Sequence, residues 1–174
     1  DDGHLVTVSL ALCCGGLWAC SLLALADSKT ATLGVSATLL SACEAGSSSG
    51  GNVSFGTLNF GTLYFLSTAT SVAGQQNAGA IRVKCTNGTS YSVLLGGGQS
   101  GNTAARYLQS AAGQRVNYNL YTNAAHSTIW DNLTGVSQTA NGSDNWLPVY
   151  GMIPAQSTPP TGSYTDTVQV TINW

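Results

Sequence analysis

Charged side chains are scarce in this sequence, and most of what can be excluded follows from that. Only 7% of the 174 residues are Asp, Glu, Lys or Arg, against about a quarter in an ordinary soluble domain. The five basic residues are scattered, and the net charge is −2. No basic patch is available for a nucleic-acid backbone, so nucleic acid is excluded as a partner. The histidines are His4 and His126 alone, too few to build a metal centre, and no metal or cofactor is expected. The charged residues after the first 26 are Asp27, Glu44, Asp131, Asp144, Asp166, Lys29, Arg82, Lys84, Arg106 and Arg115. With His126 they form no triad, phosphate loop or metal cluster in sequence, so no catalysis is expected. A hydrolase would require two of the few carboxylates to meet from distant segments. Helical periodicity of useful length is also missing beyond residue 27.

What fills the chain instead is apolar and small polar. Hydrophobic residues make up 43%, and glycine alone occurs 21 times. Gly, Ser, Thr and Asn suit turns and the solvent faces of strands rather than long helices. Residues 5–26 differ from everything after them: they carry no charge and close with Ala24-Leu25-Ala26 before the polar Asp27-Ser28-Lys29. This reads as a secretory signal over residues 1–26, with a mature chain starting at Asp27. An uncleaved membrane helix is the competing reading, opposed by Gly15-Gly16 in the middle of the run. Cys13, Cys14 and Cys20 would leave with the signal. Cys43 and Cys85 remain, and in an exported domain two cysteines most simply form one disulfide, two free buried thiols being the alternative. Such a link stabilises by about 4 kcal/mol on the chain-entropy estimate.

Short strands at roughly ten-residue spacing follow, the pattern of a sandwich or barrel. Residues 30–40 alternate, with Ala31, Leu33, Val35, Ala37 and Leu39 on one face. Residues 44–52 are rich in Gly and Ser and read as a loop. Residues 53–63 are strand-like, with bends expected at Gly56 and Gly61. Residues 67–79 read as a polar connection. Residues 80–86 and 90–95 read as a hairpin about Asn87-Gly88. Gly96-Gly97-Gly98 opens another loop. Further strands are predicted at 116–121, 128–130 and 146–153, with a Pro/Thr-rich turn over 154–162. The final stretch alternates most cleanly: Val168, Val170, Ile172 and Trp174 face one way, and Thr167, Gln169, Thr171 and Asn173 the other. That is a strand with one buried face, whose edge must be tucked between earlier strands or left for a partner. Tyr118, Tyr121, Trp130, Trp146 and Tyr150 would serve as a sugar-stacking platform or as core and rim of the sandwich. Asn52, Asn87, Asn132 and Asn141 open glycosylation sequons that matter only in a glycosylating host.

Several segments in order resemble the spore coat protein U domain family, which includes archaic (Csu-type) chaperone–usher pilins. They are Phe55-Gly-Thr-Leu-Asn-Phe-Gly61, Tyr118-Asn-Leu-Tyr121 running into Thr128-Ile-Trp130, Val149-Tyr-Gly-Met-Ile-Pro154, and Gly162 through Trp174. The resemblance covers essentially all of residues 27–174. It implies an all-β fold: an incomplete immunoglobulin-like β-sandwich completed by a donor strand from a neighbouring subunit. Residues 42–174 would be the sandwich and 27–41 an N-terminal donor extension, with Ala31, Leu33, Val35, Ala37 and Leu39 as the inserted face. The acceptor groove would lie beside Tyr164, Val168, Val170, Ile172 and Trp174. It further implies a periplasmic chaperone, an outer-membrane usher and identical subunits head to tail as partners, in a surface fibre for adhesion and biofilm on a host or abiotic surface. The competing readings are a carbohydrate-binding adhesin, a monomeric secreted coat protein, and a complete sandwich in which residues 30–40 form its own first strand.

Overall fold

The structure, a computed structural model, describes residues 28–49 and 52–174. The predicted signal over 1–26, with its three cysteines, and the mature start at Asp27 lie outside the described residues. The chain divides into two compact units, Asp1–Thr38 and Leu39–Trp174. In the first, residues 28–38 adopt no strand or helix and are exposed. Alternation supplies a strand with faces but not with a partner, and the predicted strand over 30–40 has no ladder here.

The second unit is all-β, as expected. Its strands are β1 (Cys43–Ala45), β2 (Ser47–Ser49), β3 (Asn52–Ser54), β4 (Thr70–Ala73), β5 (Ala80–Cys85), β6 (Ser90–Leu95), β7 (Tyr107–Gln109), β8 (Arg115–Asn117), β9 (Asn119–Tyr121), β10 (Val136–Thr139), β11 (Asn145–Pro148), β12 (Tyr150–Ile153) and β13 (Val170–Asn173). One 3₁₀ turn, Gly98–Ser100, is the only helical element among the described residues. The sheets run β1-β5-β11, β10-β6-β13 and β4-β12-β9, with β2-β3 and β7-β8 as two-stranded ladders. Every strand pairing is antiparallel.

The strands present alternate apolar residues to one shared cluster. Ile81, Val83 and Cys85 of β5 meet Tyr91, Val93 and Leu95 of β6, with Leu120, Trp130, Leu147, Val149 and Ile153. The indole of Trp130, 1% exposed, donates from Nε1 to the Val93 carbonyl at 2.9 Å, which satisfies its polar atom inside the core. Cys43 and Cys85 sit directly opposite in the β1–β5 ladder and are disulfide-bonded.

Four local expectations are corrected. The predicted hairpin about Asn87-Gly88 is a crossover: β5 and β6 belong to different sheets, and the Gly88 N–H donates to Ala140 O at 2.8 Å. Two inward-facing apolar strands gain more by facing each other across the core than by lying side by side. The Gly/Ser stretch 44–52 holds strands rather than a loop, β2 pairing β3 as Ser47↔Ser54 and Ser49↔Asn52. Ladders are built from backbone groups, so weak side-chain propensity does not forbid them. This one is tied down beside it, where Gly46 N–H donates to Arg82 O and Arg82 Nη1 to Gly46 O. The run 53–63 is strand only through Ser54, because the backbone turns at Gly56 and Gly61, both with positive φ. A Cβ at Gly56 would stand 2.0 Å from Asn77 O, so the chain passes there only as glycine. Finally, the polar connection 67–79 contains β4, an edge strand on β12 too short to show a period. The predicted strands at 116–121 and 146–153 each form two strands that change partners, at Tyr118 and at Val149.

Candidate functional site: a groove opening onto the core

Beside the C-terminal segment the core is covered only thinly, between half-buried apolar side chains. An open groove of about 650 Å³ has Ile81, Leu95, Leu120 and Val149 as its floor. Phe55, Leu58 and Phe60 form one wall, and Val168, Val170 and Ile172 the other. The first wall rests on backbone: a Cβ at Gly151 would meet Phe60 Cζ at 2.8 Å and Leu58 Cδ2 at 2.9 Å. Phe60 meets the Tyr118 ring edge-on at 6.2 Å. A second groove of about 730 Å³ shares Leu58, Phe60, Leu108 and Asp166, and continues past Tyr164 and Pro160.

The second wall is placed by its ladder. β13 pairs with β6 in the register Val170↔Leu95, Ile172↔Val93. Upstream, Gly96 N–H donates to Gln169 O, and Thr165 exchanges both backbone bonds with Gln109. All of these contacts lie on one edge of the segment. The opposite edge of residues 164–172 carries no ladder partner among the described residues. Burial alternates without a break: Tyr164, Asp166, Val168, Val170 and Ile172 are half-buried, and the residues between them are exposed. The regular strand itself is shorter than predicted, only Val170–Asn173.

A carboxylate therefore sits on the otherwise apolar face. Asp166 accepts from Tyr118 Oη at 2.6 Å, from Gln99 N–H at 2.9 Å and from its neighbour Thr167 N–H at 2.8 Å. Burial, then this bond and the adjacent negative charge, push the Tyr118 hydroxyl well above the usual phenol range, so it stays a donor. Behind it Arg106 is buried at 1% exposure. Its guanidinium donates to the carbonyls of Gly96, Leu95 and Trp130 and to Asn119 Oδ1, four acceptors at 2.7–3.2 Å. Burial lowers its pKa, partly offset by the negative charges of Asp166 and Asp131. Arginine remains charged regardless, and the fork pins the 95–96 backbone to the loop at Trp130.

Of the predicted acceptor residues, the structure brings Val168, Val170 and Ile172 together in the groove and Tyr164 into its continuation. Trp174 does not join them; it is 62% exposed, in a surface depression with Tyr91 and Gln138. The donor candidates Leu33, Val35 and Leu39 are 88%, 88% and 91% exposed, and Ala31 and Ala37 are exposed as well. Sequence reasoning did not find Phe55, Leu58 and Phe60 as a wall, nor Asp166 and Tyr118 as a polar node. Asp166 could have been found by extending the alternation two residues upstream from Val168. Tyr118 and Trp130, candidates for a sugar platform, are core residues. Among the described residues no group of three His, Cys, Asp or Glu side chains gathers.

The sequence profile of the Spore Coat Protein U domain matches residues 29–171, which takes in the exposed segment, the groove and its walls. This chain belongs to that family. The chain is also 34% identical over 158 residues to "Protein U" of Myxococcus xanthus, the alignment covering 86% of this chain and 87% of that protein. Two solved structures overlap it more loosely, each at 17% identity. The CsuC–CsuE chaperone–tip adhesion subunit pre-assembly complex of Acinetobacter baumannii gives a TM-score of 0.49 over 79% of this chain and 41% of the matched chain. HdaB, the Escherichia coli Hda pilus minor tip subunit, gives 0.33 over 59% and 81%.

Proposed function

We propose that this chain is a non-catalytic structural subunit that polymerises head to tail by donor-strand exchange into a surface fibre. Residues 31–39 of one copy would fill the groove beside residues 164–172 of the next, a case of β-strand addition. The observation that carries this reading is the groove itself, whose floor is the hydrophobic core and whose C-terminal wall has a free edge. Half-buried apolar walls next to an unpaired edge are a liability that a soluble protein covers. An exposed apolar stripe of strand periodicity elsewhere in the chain matches what would cover it. Burial of three larger side chains does not by itself offset the ordering of about ten backbone residues, so new ladder bonds and the covering of the groove's own surface must contribute as well. Before assembly the groove needs a temporary occupant; a periplasmic chaperone would supply it and an outer-membrane usher would exchange it. Export through the periplasm to a fibre for adhesion and biofilm formation follows from this reading.

A secreted coat component is the second reading, favoured by the family membership and the similarity to Protein U. Negative-stain electron microscopy of material sheared from cells separates the two. Fibres from the unaltered chain, lost in Leu33→Asp/Val35→Asp while the variant still reaches the periplasm, support donor-strand exchange. No fibres in either case favours the coat component, and unchanged fibres in the variant remove residues 31–39 from the joint.

A further inference from the structure

The acceptor face is not uniformly apolar, and its one interruption carries register information. Tyr164, Asp166, Val168, Val170 and Ile172 all point inward, so a carboxylate stands second in a strip of otherwise apolar positions. That carboxylate is held in place by Tyr118 Oη and the Gln99 N–H. It is also hemmed in: a Cβ on Gly98 would stand 2.1 Å from its Oδ2. A large apolar side chain laid over it would strip its remaining water and gain no apolar contact, whereas a methyl group would cost least.

Resting on the donor-strand reading above, we propose that Asp166 sets the register and direction of the incoming strand by accepting only an alanine. The strand would run antiparallel, with Ala37 against Asp166. That alignment puts Leu39 on Tyr164, Val35 on Val168, Leu33 on Val170 and Ala31 on Ile172, so every donor residue meets an inward position. Sliding it by two residues places Val35 or Leu39 on the carboxylate, and the in-register parallel alignment places Leu33 there. Every other alignment that offers an alanine to Asp166 pushes at least one leucine off the strip. The donor face thus has its small residue where the acceptor face has its charge.

The backbone supplies the test. Gln169 and Thr165 direct their backbone groups to Gly96 and Gln109, so the odd-numbered residues bond on the closed edge. On the open edge Thr167 is therefore a non-hydrogen-bonded position, where opposed Cα atoms approach to about 4.5 Å. Antiparallel pairing with Ala37 on Asp166 sets Ser36 opposite Thr167, both outside the apolar face, and a disulfide between them is geometrically allowed. Full-length Ser36→Cys/Thr167→Cys is expected to give a ladder of covalent multimers on non-reducing gels of sheared material, absent from either single variant. A ladder instead from Ser36→Cys/Thr171→Cys, the parallel alignment with Ala31 on Asp166, overturns the register while leaving donor exchange standing. Fibres without a ladder from either pair also overturn it. No fibres from the unaltered chain defeat the functional reading itself. In addition, Ala37→Leu should lower fibre yield by about tenfold or more, equivalent to about 1.4 kcal/mol, with Ala31→Leu close to unaltered. Equal losses from both refute the role of Asp166.

Discussion

Residues 31–39 and 164–172 carry the same apolar alternation and meet opposite fates. In the first, Leu33, Val35 and Leu39 are almost fully exposed and no ladder forms. In the second, Val168, Val170 and Ile172 pack against the core, because β6 and β7 offer backbone partners along one edge. Period-two alternation specifies which side chains share a face; it does not specify what covers that face. The covering depends on whether a backbone edge is available nearby, which is a property of the assembled sheet.

The contrast breaks most sharply at the anchored strip. Ile172→Asp puts a charge against Val93 in the core and should cost about 2–4 kcal/mol in urea denaturation of the monomer. A cost near zero would show that the C-terminal wall is not part of the folded unit. A smaller effect is expected across the groove. Gly151→Ala drives a Cβ into Phe60 and Leu58. Both contacts are side-chain ends facing open space, so the cost should fall at the low end of overpacking, about 1 kcal/mol. Thermal unfolding measures it, and an unchanged midpoint would mean that this wall is not seated on the β12 backbone. The smallest effect belongs to the exposed strip. Leu33→Asp should leave monomer stability within about 0.5 kcal/mol while abolishing fibres. A large loss of monomer stability would mean that residues 31–39 are covered within their own chain.

Much of the sheet architecture was legible from turns and alternation. The strands β5 and β6, strand structure over 116–121 and 146–153, and the bends at Gly56 and Gly61 were signalled locally, but the breaks at Tyr118 and Val149 were not. The partners were not. Asn87-Gly88 is a strong hairpin signal, yet it joins strands of two sheets, since a turn constrains direction more than pairing. The strands β2 and β4 escaped notice because Ser, Gly and Thr give little side-chain signal, while the ladders they join are backbone chemistry. At the site, three of the groove's inward residues could be read from the C-terminal alternation. The facing wall of Phe55, Leu58 and Phe60 could not, because it follows no strand period.

By itself the sequence determined the all-β class, the scarcity of catalytic and metal-binding groups, the cysteine pair and two alternating apolar strips. Each is a statement about composition or near neighbours, where residue chemistry acts directly. Only the tertiary structure decided that Arg106, one scattered cation among few, lies inside the core bonded to three carbonyls and Asn119. It also decided that Asp166 shares a face with Val168 and Val170 and meets Tyr118 from 48 residues away. A buried charge is tolerable only where acceptors or donors from distant segments converge on it, and that convergence exists only once the sheets have assembled.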